Sequence, residues 1–224
     1  LSAVVFFDLD GTLIDSAAAI AECINAALRA NGLLEVAGYE LRTAVGPPLH
    51  ETFSGILRRQ GASLGLVDAC IGAYRKDYRT VSLKKTTLID QVEPMLAELA
   101  GSHRLAVVTS KPGVLARPIV EALGIGRYFR AVFGPELAAT TEGKTETLAR
   151  AKTVLEADGG VMIGDREHDV EAAIPNGMTP IGVTWGAGSE CELRRAGATV
   201  IVRRPADLPR AVLAALDAHK EAFS

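Results

Sequence analysis

Cysteine is scarce in this chain. Its 224 residues hold three, Cys23, Cys70 and Cys191. The count is odd and no pair stands at redox or metal-ligand spacing, which excludes a disulfide-stapled scaffold and a zinc ribbon. That usage fits a reducing compartment, and a cytoplasmic location is expected. Basic charge is not in excess either: 24 Lys and Arg stand against 27 Asp and Glu, a net charge of −3. Basic residues cluster only as doublets, Arg58-Arg59, Lys84-Lys85 and Arg203-Arg204. Nucleic acid and anionic membrane are excluded as bulk-charge partners, because both need a broad basic face. No apolar run has the length to span a bilayer. No secretory leader is expected, since the start reads as a strand followed at once by acidic residues. No G-x-G-x-x-G follows that strand, which removes a dinucleotide-binding dehydrogenase.

What the chain does contain is a hydrophobic share of 48%, enough for a real core. Short apolar runs lie at Ala3–Phe7, Leu105–Val108, Ala131–Phe133, Val161–Ile163, Ile181–Val183 and Thr199–Val202. Consecutive apolar positions predict strands covered on both faces. Helical spacing separates most of them. Val92, Met95, Leu96 and Leu99 form one apolar stripe, with Asp90 and Glu93 as a capping box at its start. Leu148, Ala151, Lys152 and Leu155 mark a second helix. Val170, Ala173 and Ile174 mark a third, ending at Gly177. Pro118 requires its helix to start late or to kink. Alternating strands and helices imply an α/β fold: a Rossmann-like three-layer core around a parallel sheet.

One stretch interrupts the alternation. Between Ser16 and Thr87 only helical spacing is found: Ile20, Cys23, Ile24, Ala27 and Leu28; Leu49, Phe53, Ile56 and Leu57; Val67, Cys70, Ile71, Tyr74 and Tyr78. The expected organisation is a core of residues 1–15 and 89–224 carrying an inserted all-helical domain, residues 16–88, that works as a lid.

The chemistry concentrates in four aspartates. Asp8 and Asp10 end the first strand, and residues two apart in extended chain point the same way. Gly11 lets the chain turn there. Asp165 follows the strand Val161–Ile163 through Gly164, and Asp169 lies one helical turn beyond it. If those strands are neighbours, the four carboxylates meet in one crevice at the carboxyl ends of the sheet. Two like charges about 4 Å apart repel by about 4 kcal/mol at an effective dielectric near 20. A hard divalent cation relieves that repulsion, and Mg²⁺ suits an all-oxygen donor set. Thr109-Ser110-Lys111 follows another strand, where hydroxyls and N–H groups suit phosphate oxygens. Lys144, just before a helix, adds a point charge for the same oxygens. Trp185 is read as packing before substrate contact, His168 as surface or as a support behind the site, and His50 with Arg58-Arg59 as a solvated face of the insert, with substrate contact the lesser alternative.

Taken in order, Asp8-Leu9-Asp10-Gly11-Thr12, Thr109, Lys144 and Gly164-Asp165-Arg166-Glu167-His168-Asp169 resemble the four motifs of the haloacid dehalogenase-like phosphatases. The likeness covers nearly the whole chain, with the helical insert similar to that family's cap. It implies a nucleophile at Asp8 and an acid/base at Asp10, with Thr109 and Lys144 on the phosphoryl group. Leu9, Gly11, Thr12, Ser110 and Lys111 would complete the phosphate site. Mg²⁺ would bind the Asp8 carboxylate, the Asp10 carbonyl and Asp165, with Asp169 near it directly or through water. Val45-Gly46-Pro47-Pro48-Leu49 and Phe53 are similar to a cap segment of the phosphoglycolate phosphatase and 5′-nucleotidase branch. Lys144 precedes Thr145 where many relatives have Pro, and Leu88–Val92 lacks the usual Pro-Gly. The implied activity is hydrolysis of a small phosphomonoester by a monomer or homodimer. A phosphomutase of the β-phosphoglucomutase type and a catalytically silent binding protein remain the alternatives.

Overall fold

The first strand, β1 (Val4–Phe7), has no residue that reaches solvent, and the sheet is built around it. The computed structural model describes residues 3–37, 48–137 and 142–222, so Val45–Pro47 of the expected cap segment lie outside the described residues. By internal packing the chain divides into two compact units, Leu1–Ile14 with Leu88–Ser224, and Asp15–Thr87.

In the larger unit all six expected strands form one parallel sheet. They are β1, β4 (Arg104–Val108), β5 (Phe129–Phe133), β6 (Gly160–Gly164), β7 (Thr179–Val183) and β8 (Val200–Val202), ordered β5-β4-β1-β6-β7-β8. β1 is flanked by β4 on one side and β6 on the other. The chain therefore reverses its direction of travel across the sheet beside β1, and a crevice opens at the carboxyl ends there. Two further strands, β2 (Ile14–Asp15) and β3 (Thr87–Leu88), pair with each other where the chain leaves the sheet and where it returns. Two-residue strands leave no periodic trace in the sequence, so neither was expected.

Alternating side chains of β1 feed opposite faces. Val4 and Phe6 pack with Ala106, Met162, Leu148, Ala151, Ala172 and Ala173 into one core. The helices covering that face are α6 (Lys144–Val154) and α7 (Glu167–Ala173), while α4 (Val92–Ala100) and α8 (Leu208–Ala222) pack on each other and on other strands of the sheet. The expected capping box at α4 is not made. Gln91 takes the cap position in the left-handed region (φ 62°), which starts the helix one residue later and leaves Asp90 outside it. The helix α5 (Gly113–Ala122) begins early and runs through Pro118. Pro118 sits at an exposed position on this helix and removes one of its backbone hydrogen bonds.

The smaller unit is helical. It contains α1 (Ala17–Ala30), α2 (Leu49–Arg59) and α3 (Val67–Lys85). Most of the expected stripes are buried: Ile20, Cys23, Ile24, Ala27 and Leu28 from α1, with Phe53, Ile56, Leu57, Val67, Cys70, Tyr74 and Tyr78 from the others, while Leu49 and Ile71 are only half-buried. Tyr74 stacks on Tyr78 and meets Phe53 edge-on. Among the described residues no helix is long and apolar enough to cross a membrane.

Candidate active site

Hydrogen bonds between neighbouring strands set the depth of the first two site residues. The Asp8 N–H donates to the Ile163 carbonyl at 2.8 Å, and the Thr109 N–H donates to the Phe133 carbonyl at 3.0 Å. Both residues thus stand at strand ends on one lip of the sheet, Asp8 6% and Thr109 1% exposed. Gly164 ends β6 and is followed by Asp165, which is fully buried. Asp169 falls in the first turn of α7, where its Oδ2 accepts the Arg166 N–H at 3.0 Å. One carboxylate thereby caps its own helix and still turns its other oxygen to the crevice.

Carboxylate oxygens of Asp8, Asp165 and Asp169 lie within 4.8 Å of one another, all three buried. Convergence was expected of four aspartates, and the structure gathers three. The Asp10 carboxylate is instead taken by the Lys111 ammonium at 2.7 Å, in a nearly buried pair. Lys111, expected on phosphate, therefore stands on Asp10. Lys144 bridges the cluster, with Nζ 2.8 Å from Asp8 and hydrogen-bonded to Asp169 as well.

Burial pushes the Asp8 carboxyl up to about 8, with Asp169 and Asp165 adding to the rise and Lys144 opposing it. Burial likewise lifts Asp165 to about 6, helped by Asp169, while hydrogen bonds from Ala187 and Thr12 hold it back. Lys144 is raised as well, but by its neighbours and against its burial. Burial favours its neutral form, but the Asp169 and Asp8 charges outweigh this and hold the ammonium above its ordinary range. The cluster thus carries more negative charge than one lysine relieves. Its donors are all hard oxygens, without His or Cys, and they fit a hard divalent cation better than zinc.

The remaining expected residues divide by what they present. The Leu9 side chain is wholly buried, so only its backbone can serve the site. Gly11 turns the chain at φ 84°, and a Cβ there would stand 2.5 Å from Asp165 Oδ2, so both conformation and space demand glycine. Thr12 is buried and donates its hydroxyl to Asp165 Oδ1 at 3.0 Å, which makes it a support for Asp165. Thr109 Oγ1 accepts the Lys111 N–H at 3.2 Å, and Ser110 is exposed. His168 is exposed beside Glu171, as expected of a surface residue.

The sequence reading missed the loop after β7. The Ala187 N–H donates to Asp165 Oδ2 at 2.8 Å, and Trp185 Nε1–H donates to the Thr12 carbonyl at 3.0 Å. Trp185 is thus more than packing. The available signal was its position: a Gly-rich loop at the carboxyl end of a strand on the same lip. Gly186 is pressed so close that a Cβ would lie 2.3 Å from Asp165 Oδ2 and 2.4 Å from the Gly11 carbonyl. Gly186→Ala should destabilise the protein by about 2 kcal/mol, as overpacking does, and should reduce turnover in parallel. Urea denaturation checks this, and a variant within 0.5 kcal/mol of wild type (about the scatter of a surface substitution) would contradict the close approach.

The family model for haloacid dehalogenase-like hydrolases matches residues 5–183. A 5′-nucleotidase of Pseudomonas aeruginosa is 37% identical over 193 residues, covering 85% of this chain and 86% of its own. A phosphoglycolate phosphatase of Pectobacterium atrosepticum is 30% identical, covering 90% of this chain and 88% of its own. The solved structure of Mycobacterium tuberculosis Protein Tyrosine Kinase A (PtkA) superposes with a TM-score of 0.80 at 34% identity, covering 94% of this chain and 98% of that one.

Proposed function

The chain belongs to the haloacid dehalogenase-like hydrolase family and is a phosphoric monoester hydrolase; from that premise we propose that it cleaves a small phosphorylated metabolite, of the 2-phosphoglycolate or nucleoside monophosphate kind, with Mg²⁺ and through a phosphoryl-aspartate at Asp8. The observation that carries this reading is the buried trio Asp8, Asp165 and Asp169 beside the buried Lys144. Such a cluster is costly to bury without a cationic partner, so its retention points to function.

Asp8, Asp165 and Asp169, with the Asp10 carbonyl, would hold the cation. When bound it offsets the charge of nucleophile and phosphate and stabilises the equatorial oxygens. The residues supply the rest. Lys144 and the Thr109 hydroxyl orient the phosphoryl group. The Asp8 carboxylate attacks phosphorus in line as the bond to the leaving oxygen breaks. Asp10 gives that oxygen its proton, then takes one from the water that cleaves the acyl phosphate. The helical unit acts as the lid that reads the leaving group. We place the enzyme in the cytoplasm, as a monomer or homodimer acting on a small molecule, without nucleic acid or membrane partners.

The test is a panel of 2-phosphoglycolate, nucleoside monophosphates, hexose 1-phosphates and phosphotyrosine, run on metal-stripped protein with and without Mg²⁺. Phosphotyrosine is included because one structural neighbour is named a tyrosine kinase. Release of inorganic phosphate that requires Mg²⁺ and favours the first two classes is expected. Activity indifferent to chelation would refute the metal, and hexose 6-phosphate formed without free phosphate would make the enzyme a mutase.

A further inference from the structure

Asp165 is held from two directions. On one side Thr12, from the turn after β1, donates its hydroxyl to Oδ1 at 3.0 Å. On the other the Ala187 N–H donates to Oδ2 at 2.8 Å. These two supports are themselves tied together, because Trp185 Nε1–H reaches the Thr12 carbonyl at 3.0 Å. The turn carrying Asp8 and Asp10 and the loop after β7 thus close a ring around one carboxylate, with the Trp185 indole as the clasp. Gly186 allows the closure, since its backbone runs against both Asp165 and Gly11.

A carboxylate that accepts one hydrogen bond on each oxygen has a fixed plane, and its remaining lone pairs point in fixed directions. A cation bound there finds that ligand already oriented. Loss of such outer partners typically lowers metal affinity 10–100-fold in other sites. We propose that Trp185 is a positioning residue for the metal site: its indole N–H holds the Thr12 turn, and through Thr12 it fixes the orientation of Asp165 toward the cation. This rests on the metal reading given above.

Mn²⁺ binding to the metal-free, full-length protein provides the test, read by electron paramagnetic resonance for wild type, Trp185→Phe and Asp165→Asn. Phe keeps the ring and removes only the donor. Trp185→Phe should bind Mn²⁺ about tenfold more weakly. The half-saturating Mg²⁺ concentration in turnover should rise by a similar factor, more than kcat falls, whereas a purely structural loss would lower kcat and the melting temperature together. Equal Mn²⁺ affinity in wild type and Trp185→Phe, with Asp165→Asn impaired, overturns this inference and leaves the metal reading standing. Undiminished binding in Asp165→Asn refutes the metal reading itself. If Trp185→Phe does not fold, the wild type decides. Trp185 is the sole tryptophan, and its emission should change along the Mg²⁺ binding isotherm measured by calorimetry. Flat emission overturns the role.

Discussion

Asp8→Asn is expected to eliminate turnover, with kcat on p-nitrophenyl phosphate falling by at least about 10³-fold while the circular dichroism spectrum stays native. The amide is isosteric but cannot act as the attacking oxyanion, and losing a nucleophile leaves only the binding and electrostatic parts of catalysis. The fold has no reason to suffer. Asp8 is buried with its carboxyl held up at about 8, so a neutral side chain there relieves charge in the metal-free protein. An activated leaving group should not rescue the variant, since the missing function is attack on phosphorus. Turnover within tenfold of wild type would move the nucleophile elsewhere.

The second large effect belongs to Lys144. Lys144→Met should destabilise the metal-free protein by about 3 kcal/mol at pH 8, the usual range for removing one partner of a buried ion pair. Two buried carboxylates, Asp8 and Asp169, lose their common counter-ion. The loss should shrink toward pH 5, because the Asp8 carboxyl, held up at about 8, is then protonated and no longer needs the ammonium. The wild type should show the same slope more weakly. In the metal-free fold Asp8 and Asp165 stand at about 8 and about 6, against 3.8 for an ordinary aspartate. Between those limits the folded state keeps protons that the unfolded chain has released. Their contribution to stability is therefore full below about pH 4 and is lost as pH rises toward 8. Added Mg²⁺ should restore more stability at pH 8 than at pH 6. Melting curves at both pH values, with chelator and with Mg²⁺, measure all of this. An equal loss for Lys144→Met at pH 5 and pH 8 would mean that the side chain acts by packing.

Much of this architecture was readable because buried parallel strands announce themselves as unbroken apolar runs. All six left an apolar run, but the edge strands Phe129–Phe133 and Val200–Val202 are only partly covered, and the exposed Arg130 interrupts the first of them. That Asp8 and Asp165 meet on one lip of the sheet was legible because each follows such a run at the carboxyl end, where a sheet of this kind binds its ligands. Pairing was less legible. Lys111 follows the Thr109 strand end and looked like a phosphate ligand, yet it meets Asp10 at 2.7 Å. Nothing in a one-dimensional pattern states which of two anions a lysine will choose. The clasp of Trp185 on Thr12 joins segments from opposite ends of the chain through a single hydrogen bond, and no periodicity encodes such a contact. The start of α4 was misplaced because a left-handed residue at Gln91 displaced the expected cap.

The central place of β1 also fixes the order in which the enzyme can come into being. Val4 finds its neighbours at Arg104 and Gly160, so β1 is made before both strands that flank it and is sheltered only once they follow. Until β6 has been made, one edge of β1 has no partner. Closing such distant pairings is slow compared with forming local helices. A nascent chain halted before residue 160 would hold Asp8 without Asp165 against it, so the acidic cluster can gather only after β6 has been made.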